Sequence, residues 1–430
     1  MARRRVVVTG LGAVTPLGNS VAETWRGLCE GRSGVGRITL FDASTFPTKI
    51  AGEVKGADSF RNISKGTEPG FLGRNSLFAL EAAAGAMQDA RLDASRLDPL
   101  RFGIYFGAGD GGFNFLEYAS IVLDSLSDGV GELEPALYAE RSAERIHPKA
   151  LLEQEPSQVI NHLAGVFGAK GVISNCLTAC AASSQAIGEA VDIIRRGDAD
   201  VMLAGGSHSM IHPLGVAGFN LLTALSTRNE EPERASRPFD KGRDGFVLSE
   251  GAGVVILEEL EHARERGAKI YAELAGYGLS ADAFRLTDPH PTGRGAIQAM
   301  VLALKDAGMN PRDVDYINAH GTSTQLNDQI ETQAIKDVFE EEARRMPVSS
   351  IKSMLGHMIA AAGVVEIIAS VLTMRDGVIP PTINYETKDE ACDLDYVPNA
   401  ARKAKVKAVL SNSFGFGGQN VALVVKRFEE

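Results

Sequence analysis

The sequence predicts an α/β fold with buried, mainly parallel strands. Three observations carry this: strand and helix patterns alternate along the chain, no proline-rich or low-complexity linker divides it, and 44% of its 430 residues are hydrophobic. A chain this long can bury a sizeable core, either as about three domains or as two large halves.

Taken in order, "RVVVTG" reads as a first buried strand, Arg5 to Thr9, before a glycine turn, and "SLFALEAAAGAMQDA" has helical spacing. "RFGIYFGAG" is a strand, "QAIGEAVDIIRRG" a helix and "DADVMLAGG" a strand. The opening "MARRRVVVTGLGAVTPLG" imitates a signal peptide, but Gly10, Gly12, Pro16 and Gly18 interrupt it. No window is apolar for the length that a membrane span needs, so no membrane insertion is expected. The best seam is "EELEHARERGAKIYAEL" at 258–274, which divides the chain into 1–262 and 263–430. Each part opens on a strand followed by G-x-G ("RVVVTGLGAV", "KIYAELAGYGLSAD") and closes on small residues before an apolar strand ("EGAGVVILEELE", "GFGGQNVALVVKRFEE"). Two similar halves would explain this echo, and so would chance likeness among glycine turns.

A net charge of -11 argues against nucleic acid or an anionic membrane as the main partner. The four cysteines are too sparse for a disulfide framework and lack zinc-site spacing, which fits a reducing, cytoplasmic setting.

"ISNCLTACAASSQAIGEAVDII" places two thiols four apart. Cys180 immediately precedes a helix, where unpaired backbone N–H groups and the positive dipole end favour the attacking thiolate. Cys176 falls in the preceding strand, and space-filling is its expected role. G-x-G-x-x-G at Gly107, Gly109 and Gly112 would need an acid about 20 residues on at the tip of a second strand, but that distance falls on Asp124 to Asp128, inside or just past a helical pattern, so these glycines are expected to allow close backbone approach. Among eight histidines, six lie in settings typical of solvated or satisfied rings: His147, His162, His208, His212, His262 and His290. His320 ends an apolar strand in "DYINAHGTST", at the sheet edge where α/β folds place their sites. Lys352 and His357 share a turn, "SSIKSMLGHMIAAAG", that leads into a helix. "NSFGFGGQN" can aim backbone N–H groups at an oxyanion, or be a plain hairpin.

"TACAASS", "NAHGTST", "SSIKSMLGHMIAAAG" and "NSFGFGGQN", in this order, resemble the β-ketoacyl-acyl-carrier-protein synthases, most closely the type II elongating enzymes. The likeness covers nearly the whole chain. It implies the thiolase fold, two similar α/β halves in a five-layer αβαβα sandwich, working as a homodimer. The implied reaction is a decarboxylative Claisen condensation of an acyl thioester on Cys180 with malonyl-acyl-carrier protein, in fatty-acid or specialised polyketide or lipid synthesis. It needs no metal or redox cofactor, because phosphopantetheine arrives on the acyl carrier protein.

In the family pattern, His320 and His357 bind the malonyl thioester carbonyl, and the N–H groups of Cys180 and Phe416 form the oxyanion hole. Lys352 supports the histidines with Glu331 as its expected partner, and Asp328 and Asn420 surround the site. Thr322 and Thr324 match positions that bind pantetheine, Phe416 gates the acyl pocket beside Phe414, and Arg228 marks the carrier entrance.

Three departures stand out. Asp110 replaces an aliphatic pocket residue, the 118–156 segment is longer than its family equivalent, and Arg61, Lys65 and Arg74 are a thin basic cluster for an acidic carrier. Of the rival readings, a partner subunit that only sets chain length or decarboxylates would lack Cys180. A coenzyme A-dependent thiolase would need a second C-terminal cysteine, and a cysteine hydrolase an orienting acid.

Overall fold

The computed structural model describes residues 3–57, 59–60, 72–109, 114–127 and 131–429. Lys65, Arg61 and Asp110 fall outside them. Ten strands form one sheet. The first five are β1 (Val6–Val14), β2 (Phe102–Ala108), β3 (Ile173–Cys176), β4 (Val201–His208) and β5 (Gly251–Glu259). The second five are β6 (Ala272–Ala281), β7 (Tyr316–Asn318), β8 (Val348–Ser349), β9 (Ala408–Phe414) and β10 (Gln419–Lys426).

Their spatial order is β8-β7-β9-β10-β6-β1-β5-β4-β2-β3. Counted outward from the β1–β6 junction, the first, fifth, fourth, second and third strands follow one another in both halves. Parallel and antiparallel pairings repeat in the same places. The echoed segments of the sequence therefore occupy equivalent strands, β1 with β6 and β5 with β10.

The expectation of mainly parallel strands needs correcting. Four of the nine strand pairs are parallel, those of β2 and β7 with their neighbours, and the rest are antiparallel. A strand covered on both faces reads as one apolar run whichever way it points, so the pattern carries no direction.

Six helices build the remaining layers: α1 (Arg74–Asp89), α2 (Ser157–Phe167), α3 (Ala182–Arg196), α4 (Arg294–Ala307), α5 (Gln325–Phe339) and α6 (Ala362–Asp376). α1 and α2 cover the outer face of the first half, and α4 with α5 that of the second. α3 and α6 touch each other and strands of both halves, which makes them the middle layer of a five-layer sandwich. Sequence explains the placement of α6: in "AGVVEIIASVLTMRD" apolar residues occur all round, and only a helix enclosed on every side tolerates that. Both middle helices end at a glycine in the left-handed region, Gly197 at φ 85° and Gly377 at φ 65°.

The long 118–156 segment contributes two short helices, Pro135–Arg145 and Pro148–Leu152, and the end of Phe115–Leu123. They lie largely exposed, with Leu116, Leu123, Leu151 and Leu152 open to solvent.

Candidate active site

A tight 3-10 turn, Ala179–Ala181, carries the chain from β3 into α3. Ala179 sits at φ 47°, a strained value for a residue with a Cβ. The strain presents Cys180, 4% exposed, at the helix start. Strands β2 and β4 press closely on this turn: a Cβ at Gly107 would lie 2.5 Å from the Ser183 nitrogen, and one at Gly206 2.5 Å from the Ala360 oxygen. The glycines of "FGAGDGG" within the described residues thus serve close backbone approach, as expected. Cys176 closes β3, packs against Ala182, Ala186 and Ala360, and donates its S–H to the Ala182 carbonyl at 3.2 Å.

His320 lies just past β7, and His357 follows a short helix, Lys352–Leu355, and Gly356 at φ 71°. The His357 backbone donates to the Val247 carbonyl at 2.7 Å and accepts from the Ser249 N–H at 3.0 Å, which fixes the imidazole from below. The Cys180 sulfur and one ring nitrogen from each histidine lie within 4.8 Å of one another. Thus the structure brings together three residues drawn from both halves.

The neighbours of each ring assign its proton. Lys352 Nζ donates to His320 Nδ1 at 3.3 Å, and the Ile359 N–H donates to His357 Nδ1 at 3.3 Å. Both rings are neutral, since burial first and Lys352 next hold their pKa values well below the ordinary histidine range. Each therefore carries its proton on Nε2. In His357 that atom is buried and has no hydrogen-bond partner among the described residues, free to donate to a substrate oxygen. A thiolate and two imidazoles at this spacing could also ligate a soft divalent ion, but both rings would first have to surrender the Nε2 proton that their neighbours impose.

Burial pushes the Cys180 thiol up to about 11, against opposing pulls from the Phe416 backbone N–H and from Lys352. The helix start alone predicts a resting thiolate; desolvation outweighs it, and the free enzyme holds a thiol. The pull from Phe416 places its backbone N–H beside the sulfur.

The expected Lys352–Glu331 pair does not form. Lys352 instead pairs with the buried Glu366 of α6 and donates to the His320 carbonyl at 2.7 Å. Glu331 accepts the backbone N–H groups of His320 and Gly321, each at 2.8 Å, and the Asn412 amide at 3.1 Å. Its role is to clamp the loop that carries His320. Asp328 is buried and accepts the Phe239 N–H at 2.8 Å. Glu366 and Asn412 were not singled out in the sequence, although each is a polar residue inside an apolar run, "VVEII" and "VLSNSF".

A cavity of about 280 Å³ opens over the three reactive residues. Thr322, Thr324, Phe414, Phe416 and Asn420 line it, as expected, and so does Phe246, whose ring meets His357 edge-on at 5.3 Å. The Thr322 and Thr324 hydroxyls lie 2.9 Å apart. Arg228, its side chain 36% exposed, donates to the Gly242 carbonyl at 2.8 Å and sits 3.9 Å from Asp244, which lines the cavity. Arg74, expected at the carrier surface, instead neutralises the buried Glu250 carboxylate. One histidine also departs from expectation: His208, at the end of β4, is buried, and among the described residues neither of its nitrogens is hydrogen-bonded.

Comparison with known proteins agrees with this geometry. Residues 3–263 match the beta-ketoacyl synthase N-terminal domain, and residues 271–386 its C-terminal domain. The chain is 46% identical over 436 residues to 3-oxoacyl-[acyl-carrier-protein] synthase 2 of Coxiella burnetii, with 99% of each chain covered. It is 45% identical to the protein of that name from Synechocystis sp., again with 99% of each covered. Among solved structures it resembles a type II PKS acyl-carrier protein complex with its ketosynthase bound to the hexaketide (TM-score 0.87, 38% identity, 99% of this chain and 100% of that one). It also resembles the ishigamide ketosynthase/chain length factor (TM-score 0.88, 35% identity, 100% of both). With both domains matched in order around one thiol and two imidazoles, the chain belongs to the β-ketoacyl synthase family.

Proposed function

We propose that this protein condenses an acyl group with malonyl-acyl-carrier protein, with loss of carbon dioxide, to give β-ketoacyl-acyl-carrier protein in fatty-acid or polyketide synthesis. The observation that carries this is the convergence of Cys180, His320 and His357 within 4.8 Å, beside the Phe416 N–H.

Cys180 Sγ attacks the acyl thioester carbon. The new C–S bond forms, the pantetheine C–S bond breaks, and the thiol proton leaves with the freed pantetheine thiol. A malonyl thioester then binds with its carbonyl oxygen facing the Nε2–H groups of His320 and His357. Cleavage of the bond to its carboxylate releases carbon dioxide and leaves the electron pair in an enolate, which those two donors stabilise. The enolate carbon attacks the acyl carbon on Cys180, whose oxygen meets the N–H groups of Cys180 and Phe416. The C–Sγ bond breaks and the sulfur regains a proton.

Lys352 and Glu366 keep His320 in the required tautomer. Thr322 and Thr324 receive the pantetheine arm, Phe416 gates the acyl chain, and the exposed part of Arg228 meets the acidic carrier. The reading requires no resident cofactor, since the pantetheine comes with the acyl carrier protein. It also includes a homodimer in the cytoplasm. In support of pairing, β3 is a sheet-edge strand followed directly by the exposed Leu177. In support of a cytoplasmic site, all four cysteines are unpaired, and no described helix is long and apolar enough to cross a membrane.

Incubation with a panel of acyl-carrier thioesters, followed by peptide mass spectrometry, tests the nucleophile. The acyl mass is expected on Cys180 and absent in Cys180→Ala; acylation at another residue would overturn the proposal.

A further inference from the structure

His208 differs from the other buried polar groups around the site. It is 1% exposed, and among the described residues neither ring nitrogen has a hydrogen-bond partner. Burial pushes its pKa down to about 3, so the ring is neutral, with one N–H to donate and one lone pair to accept. Interiors rarely keep such a group unpaired, because its lost hydration is not replaced.

Its position points to the reacting thiol. β2 and β4 run parallel, with Gly107 opposite Gly206. A Cβ at Gly107 would lie 2.5 Å from the Ser183 nitrogen and one at Gly206 2.8 Å from the Ser183 Cβ, so both strands abut the first turn of α3, just after Cys180. Residues two apart on a strand share a face and lie about 6.6 Å apart. His208 thus faces the same layer as Gly206, one such step further along, past the helix start. Gly109 makes room for the ring, since a Cβ there would come within 2.2 Å of His208 Nδ1. The ring is also within electrostatic reach of His357. Cys180 also belongs to an apolar cluster with Ile211, Val216, Leu225 and Phe246.

We propose that His208 is a specificity-determining residue that hydrogen-bonds an oxygen of the acyl chain on Cys180, so that the enzyme extends acyl groups bearing a keto or hydroxyl oxygen near the thioester. A neutral ring suits such an oxygen and not a carboxylate, which would need a charged partner in this apolar setting. The inference rests on Cys180 being the acyl acceptor.

Wild-type protein is offered equimolar pantetheine thioesters of hexanoate, 3-hydroxyhexanoate and 3-oxohexanoate, and the masses added to Cys180 are counted over time. At least one oxygenated group is expected to load about tenfold faster than hexanoyl, the factor one well-placed hydrogen bond supplies. His208→Leu is expected to slow the oxygenated thioesters about tenfold more than hexanoyl, abolishing the preference. Hexanoyl loading as fast as both others in the wild type would overturn the proposal and leave an ordered water as the only partner of the ring. That arm needs no variant to fold. A preference that survives in His208→Leu would overturn it too. If no thioester loads Cys180 at all, the condensing-enzyme reading fails instead.

Discussion

The starts of α3 and α6 are the same piece of structure used twice. Each is a 3-10 turn entered through a non-glycine residue in the left-handed region, Ala179 at φ 47° and Ile359 at φ 41°, and each runs into a 15-residue helix. Aligned on these turns, Cys180 corresponds to Ala360, Leu177 to His357 and Ala186 to Glu366. The first start carries the thiol, with a leucine three residues before it that is 58% exposed. The second has an alanine in the thiol's place and, three residues earlier, a histidine that is 2% exposed. Repetition of the fold therefore supplies two equivalent backbone settings that are filled differently, and the proposed chemistry gives them different tasks: electrophile capture at one, hydrogen-bond donation to an oxyanion at the other.

Erasing the differences one at a time tests this contrast. Glu366→Ala gives α6 the residue that α3 has at its equivalent position and strands a buried lysine. Urea unfolding is expected to show a loss of about 3–5 kcal/mol, the penalty for removing one partner of a buried ion pair. A loss below 1 kcal/mol, on the order of an exposed pair, would mean that Lys352 finds another anion.

A second difference lies in the thiol itself. With a thiol of about 11, iodoacetamide modification of Cys180 in the free enzyme should rise about tenfold per pH unit from 7 to 10, as the thiolate fraction grows. A plateau near pH 8 would show that Phe416 and the helix start win over burial after all.

His357→Leu copies the residue of the first start into the second. Condensation should fall about a hundredfold or more, the usual cost of one oxyanion donor, while acyl loading of Cys180 persists. Equal loss of both activities would point to a collapsed site. The smallest effect is expected from Leu177→Asp, which leaves the chemistry alone. Sedimentation at graded concentrations should show self-association weakened about tenfold, as expected when a charge enters an apolar contact; unchanged association would place the subunit contact elsewhere.

Much of this arrangement was legible before any coordinates. Alternating strand and helix patterns give the layers, whereas the enclosure of α6 on every side shows only once the layers are assembled. Cys180 stands out by its place at a helix start, while His320 at a strand end and His357 in a turn are not decisive alone and draw their roles from the family resemblance. What pairs with what was less accessible. Glu331, 11 residues after His320, looks like a partner for Lys352, but its carboxylate is taken by two backbone N–H groups on its own side of the loop. Glu366 wins the lysine because α6 crosses the middle of the sandwich, a relation between remote segments that no local pattern encodes. Strand direction was hidden for a similar reason, burial on both faces making parallel and antiparallel runs look alike. His208 resembled any strand-end histidine until its missing partners were visible, and Arg74 resembled surface charge until Glu250 was found beneath it.

The two middle helices meet along a seam of very small side chains. The Val364 N–H of α6 donates to Ser183 Oγ of α3 at 3.0 Å, a Cβ at Gly363 would collide with Ser184 Oγ at 2.0 Å, and Ser184 in turn shares a hydrogen bond of 2.8 Å with Ser413 of β9. That seam works as a gauge block between nucleophile and donor. One added methyl group there would spread the two helix starts apart, so drift at these positions would detune the reaction while the surrounding sandwich still stood.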